Sequence, residues 1–386
     1  MGLAHAMMMI DFSLLQSSFA LQTILVGIVI GTIVWSYGTI ARLQVMAWVI
    51  AVLVIYLRFG DYGQLVFYSN DQLYHESLVS RLMMLDVPTE AAWWITGARA
   101  PYVLPATLLS TAGIDPVLAL KTVSLLSYLF VTSFLQKSLE RQQIPYRLSN
   151  VYWTCVGVVG LFFSALALRE TTMMLISTYF FLHKSAFTRG WALVFLGLLR
   201  PHLAIALLLG WIAVRFSRRI GYGHWSPARF SSVIVTGAIC GYLLYAVGTW
   251  IYFRNLDPGQ HRGGIVPIVR IASNFFGLQF LAANETTVES SLASLVAYRV
   301  VMSETLLIPA SFVVVACLSR RLSITGQMAL WSFAIYVGLA TNTAFNSFRQ
   351  NIPFMPVMGV VILDEWRRRQ QRIGAPSPSS LAKPSR

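Results

Sequence analysis

The sequence predicts an all-α protein, a polytopic transmembrane helical bundle, on three observations. Of 386 residues, 56% are hydrophobic and only 11% are charged, roughly half the charged share of a soluble domain. Apolar runs at 21–36, 117–135, 151–168, 230–252 and 326–341 approach the roughly 20 residues that cross a hydrocarbon layer. Basic clusters recur between the apolar runs, at Arg42, Lys137 to Arg147, Lys184 to Arg189, Arg215 to Arg229, Arg320 to Arg321 and Arg367 to Arg372.

The runs are continuously apolar and lack the period of two of a barrel strand, so helices are the spanning elements. Cytoplasmic loops of membrane proteins concentrate Lys and Arg. The basic clusters are therefore cytoplasmic, and the loops near 59–115, 169–170, 200–202, 254–300 and 343–350 face outward. About eleven crossings close this alternation, with the N-terminus outside and the C-terminus inside. The expected division is a transmembrane bundle over 1–366, with outer loops 59–115 and 254–300, and a cytoplasmic, basic, disordered tail over 367–386. Topology also accounts for the net charge of +14, so nucleic acid is not an expected partner.

Residues 1–15 are expected as an interfacial helix of the mature chain, because no basic n-region or small-residue cleavage site precedes the first apolar run. Loop 59–115 carries Tyr74, Trp93, Trp94 and Tyr102 with three prolines, which suits ordered short helices with aromatic anchors at the interface. Crossings near 171–183, 190–199 and 203–215 are too short to span about 30 Å unaided. Their ends carry Arg169, Glu170, Arg200 and His202. Ionisable groups at membrane depth pair or line a wet cavity, so a cavity is expected there. Loop 254–300 holds turn signals at Asp257-Pro258-Gly259 and Gly263-Gly264 before an apolar stretch from Val266 to Ala282. Cys155, Cys240 and Cys317 lie in apolar runs and read as packing residues. No internal repeat is visible.

Three constellations carry candidate chemistry. A helix over 71–81 would align Asp71, Tyr74 and His75 at spacings of three and four, where a carboxylate could deprotonate a sugar hydroxyl; the plainer reading is solvation of a loop end. Arg169-Glu170 and Arg200-Pro201-His202 end neighbouring short crossings on the same side. Their arginines suit a phosphate or pyrophosphate leaving group, unless Arg169 and Glu170 merely fix packing as an ion pair. Arg349, in Asn342 to Gln350 before Pro353 and Pro356, is a third phosphate ligand or an interfacial snorkelling residue. Walker, dinucleotide, zinc-protease and nucleophile-elbow motifs are missing. No compact carboxylate cluster calls for a metal, and no cofactor is expected.

In order and spacing, Arg58-Phe59-Gly60, Asp71-Gln72-Leu73-Tyr74, Arg169-Glu170 and His202 resemble the EpsG-type and O-antigen (Wzy-type) polysaccharide polymerases. More loosely they resemble the wider polyprenyl-dependent GT-C glycosyltransferases. The resemblance covers roughly residues 45–215 and Arg349, and departs at Glu170 and in the longer interval between Arg58 and Asp71. It implies a bacterial inner-membrane enzyme that moves sugar or oligosaccharide on the outer face. The donor would be a polyprenyl phosphate or pyrophosphate carrier and the partners a glycan acceptor and membrane lipids. Asp71, Glu170 and His202 are the expected catalytic residues, with Arg58, Tyr74, His75, Arg169, Arg200 and Arg349 binding substrate. A transporter or flippase of lipid-linked saccharide or another anionic lipid is the alternative, and it predicts an internal repeat and sites near the midplane.

Overall fold

The computed structural model describes residues 18–59, 70–85, 99–141, 155–219, 225–252, 292–339 and 351–374. Among these there is no strand, and thirteen α-helices pack into one bundle. In chain order they are α1 (Ser18–Ile33), α2 (Thr39–Phe59), α3 (Asn70–Met83), α4 (Ala100–Thr111), α5 (Pro116–Arg141), α6 (Gly157–Ala165) and α7 (Glu170–Leu182). The chain continues with α8 (Ala186–Leu199), α9 (Pro201–Arg219), α10 (Pro227–Tyr252), α11 (Leu292–Leu318), α12 (Ile324–Leu339) and α13 (Met355–Gly374).

Four helical stretches, Ser18–Ser36, Thr39–Leu57, Pro116–Arg141 and Ala228–Ala246, are long and apolar enough to cross a membrane. The protein is a helical membrane protein. In the apolar stretch of Pro116–Arg141 78% of the residues are buried, against 22 to 33% in the others, so α5 is the central post and the others present apolar faces such as Leu25, Ile28, Ile50 and Val54 outward. Asp115 caps α5, its Oδ1 accepting from the N–H groups of Val117 at 2.9 Å and Leu118 at 3.1 Å, the usual work of an N-terminal Asp. Its own N–H donates to Gln22 Oε1 at 2.9 Å, tying the cap to α1.

On the other side of the bundle α12 packs against α9 and α10. The backbones of α10 and α12 meet at Gly241 and Gly338, where an added Cβ would run into the carbonyls of Ile335 and Ala238. Close approach of this kind is how small residues hold helices together in lipid.

The stretches expected as short crossings form α7 with 13 residues, α8 with 14 and α9 with 19. At 1.5 Å per residue the first two reach only about 20 Å, whereas α9 continues to Arg219 and is longer than its apolar stretch implied. Pro201 fixes the break between α8 and α9, because proline fits a first helical turn and cannot continue the preceding one.

Three expectations change. Within its described part, from Cys155, the run at 151–168 is not one continuous helix; α6 has nine residues, bounded by Gly157 at φ +56° and by a turn at Leu166. Tyr102 is not an interfacial anchor but fully buried. The chain beyond 366 does not become irregular at once, because α13 runs to Gly374, supported by Arg368–Asp364 at 2.6 Å and Arg369–Glu365 at 3.7 Å. The stretches 1–15 and 254–282 lie outside the described residues.

Candidate functional site

Between α6 and α7 the chain turns inside the bundle, with Leu166, Ala167 and Leu168 at most 1% exposed. Carbonyls buried in this way need donors, and three side chains supply them. Trp48 of α2 donates its indole N–H to the Ser164 carbonyl at 3.3 Å. The Gln72 amide of α3 donates to the Leu166 carbonyl, and the Ser124 hydroxyl of α5 donates to the Leu168 carbonyl at 3.0 Å. Tyr102 of α4 extends the network, its hydroxyl lying 3.1 Å from Ser124 Oγ and 3.3 Å from the Leu120 carbonyl.

The far end of α6 is held as firmly. Glu304 of α11 accepts from the N–H of Val159 at 3.0 Å and from that of Val158, satisfying orphan donors of the first turn. A Cβ at Gly157 would collide with that carboxylate. Helix α6 is thus clamped at both ends, and the clamp fixes where Arg169 and Glu170 emerge.

Ala167 sits at φ +55°, a left-handed conformation costing an L residue about 1–2 kcal/mol. Ala167→Gly is therefore expected to raise the midpoint of thermal unfolding, by about 1 kcal/mol of stability. An unchanged or lowered midpoint would mean that the turn is not strained.

Glu170 opens α7 and is fully buried; a carboxylate there complements the positive end of the helix dipole. One wall of the site is α3 and α4. Arg99, left-handed at φ +55° as the cap of α4, brings a guanidinium nitrogen against His75 Nε2 and lies 4.6 Å from the Tyr74 ring centroid. His75, itself buried, meets the Tyr102 ring edge-on at 5.1 Å.

The opposite wall comes from α8, α9 and α12. Arg200 donates to the Tyr336 hydroxyl at 3.2 Å. The His202 ring stacks on Tyr336 with centroids 5.6 Å apart and planes 13° from parallel. Arg200 Nε and His202 Nε2 are buried atoms with no hydrogen-bond partner among the described residues.

Arg169 and Glu170 join the walls. Tyr102 feels the charges of Glu170, Arg169 and Arg99, while Tyr336 feels those of Arg200, Arg169 and Glu170. His202 feels Arg200 and Arg169. Arg169 and buried Glu170 thus act on a tyrosine in each wall, and among the described residues three arginines from separate chain segments, Arg99, Arg169 and Arg200, share this neighbourhood with one acid. Such a cluster can hold a multiply charged oxyanion, since each guanidinium offers a planar fork of donors.

Of the residues expected from the sequence, Tyr74, His75, Arg169, Glu170, Arg200 and His202 are brought together. Asp71 lies in the first turn of α3 and Arg58 in the last turn of α2, with side chains outside the described residues, as is all of Arg349. Arg99, Tyr102, Tyr336 and Glu304 were not foreseen as site residues. A signal existed for Glu304, a lone acid in the apolar stretch of α11. Another existed for Arg99, which immediately precedes Ala100-Pro101, a helix-start pattern in an outer loop. Among the described residues no three His, Cys, Asp or Glu gather to hold a metal ion.

Compared with protein families, with curated proteins and with solved structures, the chain matches none.

Proposed function

We propose that this protein is a membrane glycosyltransferase or polysaccharide polymerase. It takes sugar or oligosaccharide from a polyprenyl phosphate or pyrophosphate carrier and passes it to a glycan acceptor on the outer face of a bacterial inner membrane. The observation that carries this reading is that Arg169 and buried Glu170, at a broken helix, act on both Tyr102 and Tyr336, which also feel Arg99 and Arg200 respectively. Half-buried arginines at membrane depth are costly and mark a functional pathway, and several guanidinium groups together suit a phosphate group.

In the proposed step an acceptor hydroxyl oxygen attacks the anomeric carbon of the donor. The bond from that carbon to the phosphate oxygen breaks, and the carrier phosphate leaves with the electron pair. Arg99, Arg169 and Arg200 stabilise the charge that grows on it. A carboxylate, Asp71 at the head of α3 or Glu170 at the head of α7, takes the hydroxyl proton. His202 and Tyr336 hold Arg200 in place.

An apolar carrier chain also suits the surroundings. A cleft of about 560 Å³, lined by Phe130, Tyr179, Trp191 and Phe195 among others, opens between α5, α7 and α8. Leu175 and Phe195 in its wall lie five residues, about 7.5 Å of helix, from Glu170 and Arg200 respectively. With about eleven crossings, N-terminus outside and C-terminus in the cytoplasm, the arginines would sit in the external leaflet. The broken helix at α6 and α7 also suits a transporter, which would move the lipid-linked saccharide without cleaving it.

The test is incubation of purified protein with radiolabelled polyprenyl-linked sugars and a glycan acceptor. Transfer is expected from wild type; Asp71→Asn and Glu170→Gln identify the base, as the variant that loses activity. Intact donor across a broad panel would overturn the reading in favour of transport. Tyr336→Phe is expected to lower transfer about tenfold, the worth of one hydrogen bond to a charged group; an unchanged rate would show that Tyr336 does not position Arg200.

A further inference from the structure

A second cationic feature lies at the opposite end of the α7–α8 hairpin. Arg189, in the first turns of α8, donates from Nε to the Phe180 carbonyl in the last turn of α7 at 3.1 Å. Its guanidinium carbon lies 5.8 Å from the Phe180 ring centroid and 5.9 Å from that of Trp211 in α9. Arg215, one turn beyond Trp211, lies over the same indole at 4.8 Å. The two cations are close enough to feel one another. Neither has a carboxylate partner among the described residues.

Two like charges held at one ring repel, and an indole face offsets only part of that cost. A shared anion would convert the repulsion into attraction to both. Arg189 is half-buried and Arg215 exposed, so the pair can be reached from the periphery of the bundle. Beside Arg215, Leu208, Ile212 and Phe216 recur every fourth residue on α9 and are 38%, 48% and 62% exposed. They form an apolar strip that leads along the helix away from the cations. A charged pair at the end of such a strip matches an amphiphile, its head on the arginines and its chain along α9.

We infer that Arg189, Trp211 and Arg215 form a binding site for the phosphodiester head of an anionic phospholipid, in the leaflet opposite the candidate active site. Basic pockets between membrane helices recognise lipid phosphates in this way. The site is independent of sugar transfer, and its neighbours Arg218 and Arg219 on the last turn of α9 lie outside it.

Native mass spectrometry of detergent-purified protein titrated with phosphatidylglycerol tests the inference, with phosphatidylcholine and inorganic phosphate as separate arms. Wild type is expected to retain one phosphatidylglycerol at concentrations where phosphatidylcholine does not bind, and inorganic phosphate is expected not to displace it. Combined Arg189→Gln and Arg215→Gln should weaken retention at least tenfold. Arg215→Gln alone, at an exposed residue, should weaken it about threefold with an unchanged thermal transition. Arg218→Gln with Arg219→Gln should leave it within twofold. Equal losses in the two double variants would reduce the effect to unspecific surface charge and overturn the site. Wild-type retention by both Arg215 variants would also overturn it, and displacement by inorganic phosphate would make a soluble anion the ligand in place of a lipid.

Discussion

Arg169→Ala is expected to reduce sugar transfer by about 10²- to 10³-fold, the usual loss on removing one preorganised donor from a developing oxyanion. Arg169 is the arginine whose charge reaches both Tyr102 and Tyr336, so its loss removes the cation shared by the two walls. Lysine at 169 keeps a charge but not the planar fork, and Arg169→Lys should recover only part of the rate. Initial rates with a polyprenyl-linked donor check both variants. A loss confined to KM would indicate ground-state binding alone, whereas a fall in kcat is the predicted signature. Full activity in Arg169→Ala would leave the pair as a packing device.

Gly157→Ala should cost about 2 to 5 kcal/mol of stability. About 1–2 kcal/mol comes from forcing an alanine into a left-handed conformation, and about 1–3 from overpacking. The new methyl group would meet the Glu304 carboxylate, which cannot retreat without abandoning the N–H groups of Val158 and Val159. Thermal unfolding in detergent measures the loss. Glu304→Gln keeps an acceptor oxygen and should cost much less, so a larger loss in Glu304→Gln than in Gly157→Ala would contradict the clamp.

The helical class, and the positions of Arg169 and Arg200 at the ends of neighbouring short helices, were legible because hydrophobic run length and charge position are local properties of the sequence. The helix that puts Tyr74 and His75 three and four residues after Asp71 was legible too, and α3 covers the expected stretch at Asn70–Met83. The break in 151–168 was not legible. Residues 151–168 carry no charged side chain, and the interruption depends on Glu304, more than 130 residues away, and on donors from three other helices. Tyr102 looked like an interfacial aromatic because its ring and hydroxyl suit a boundary. Burial came from Ser124 and the Leu120 carbonyl, which satisfy the hydroxyl inside the bundle. Arg99 escaped because its partners Tyr74 and His75 lie about 25 residues upstream, across a stretch whose path spacing cannot give.

The claim on which the rest depends is that arginines from separate segments grip one lipid phosphate. Its most direct measurement is the affinity of wild type, Arg169→Gln, Arg200→Gln and the double variant for polyprenyl phosphate and for neutral polyprenol, in the same detergent. Each single change is expected to weaken phosphate binding about tenfold, close to 1.4 kcal/mol. The double variant should lose less than the product of the singles, because both residues serve one ligand group, and polyprenol binding should not move. Equal effects on polyprenol and polyprenyl phosphate, or none on either, would contradict the claim.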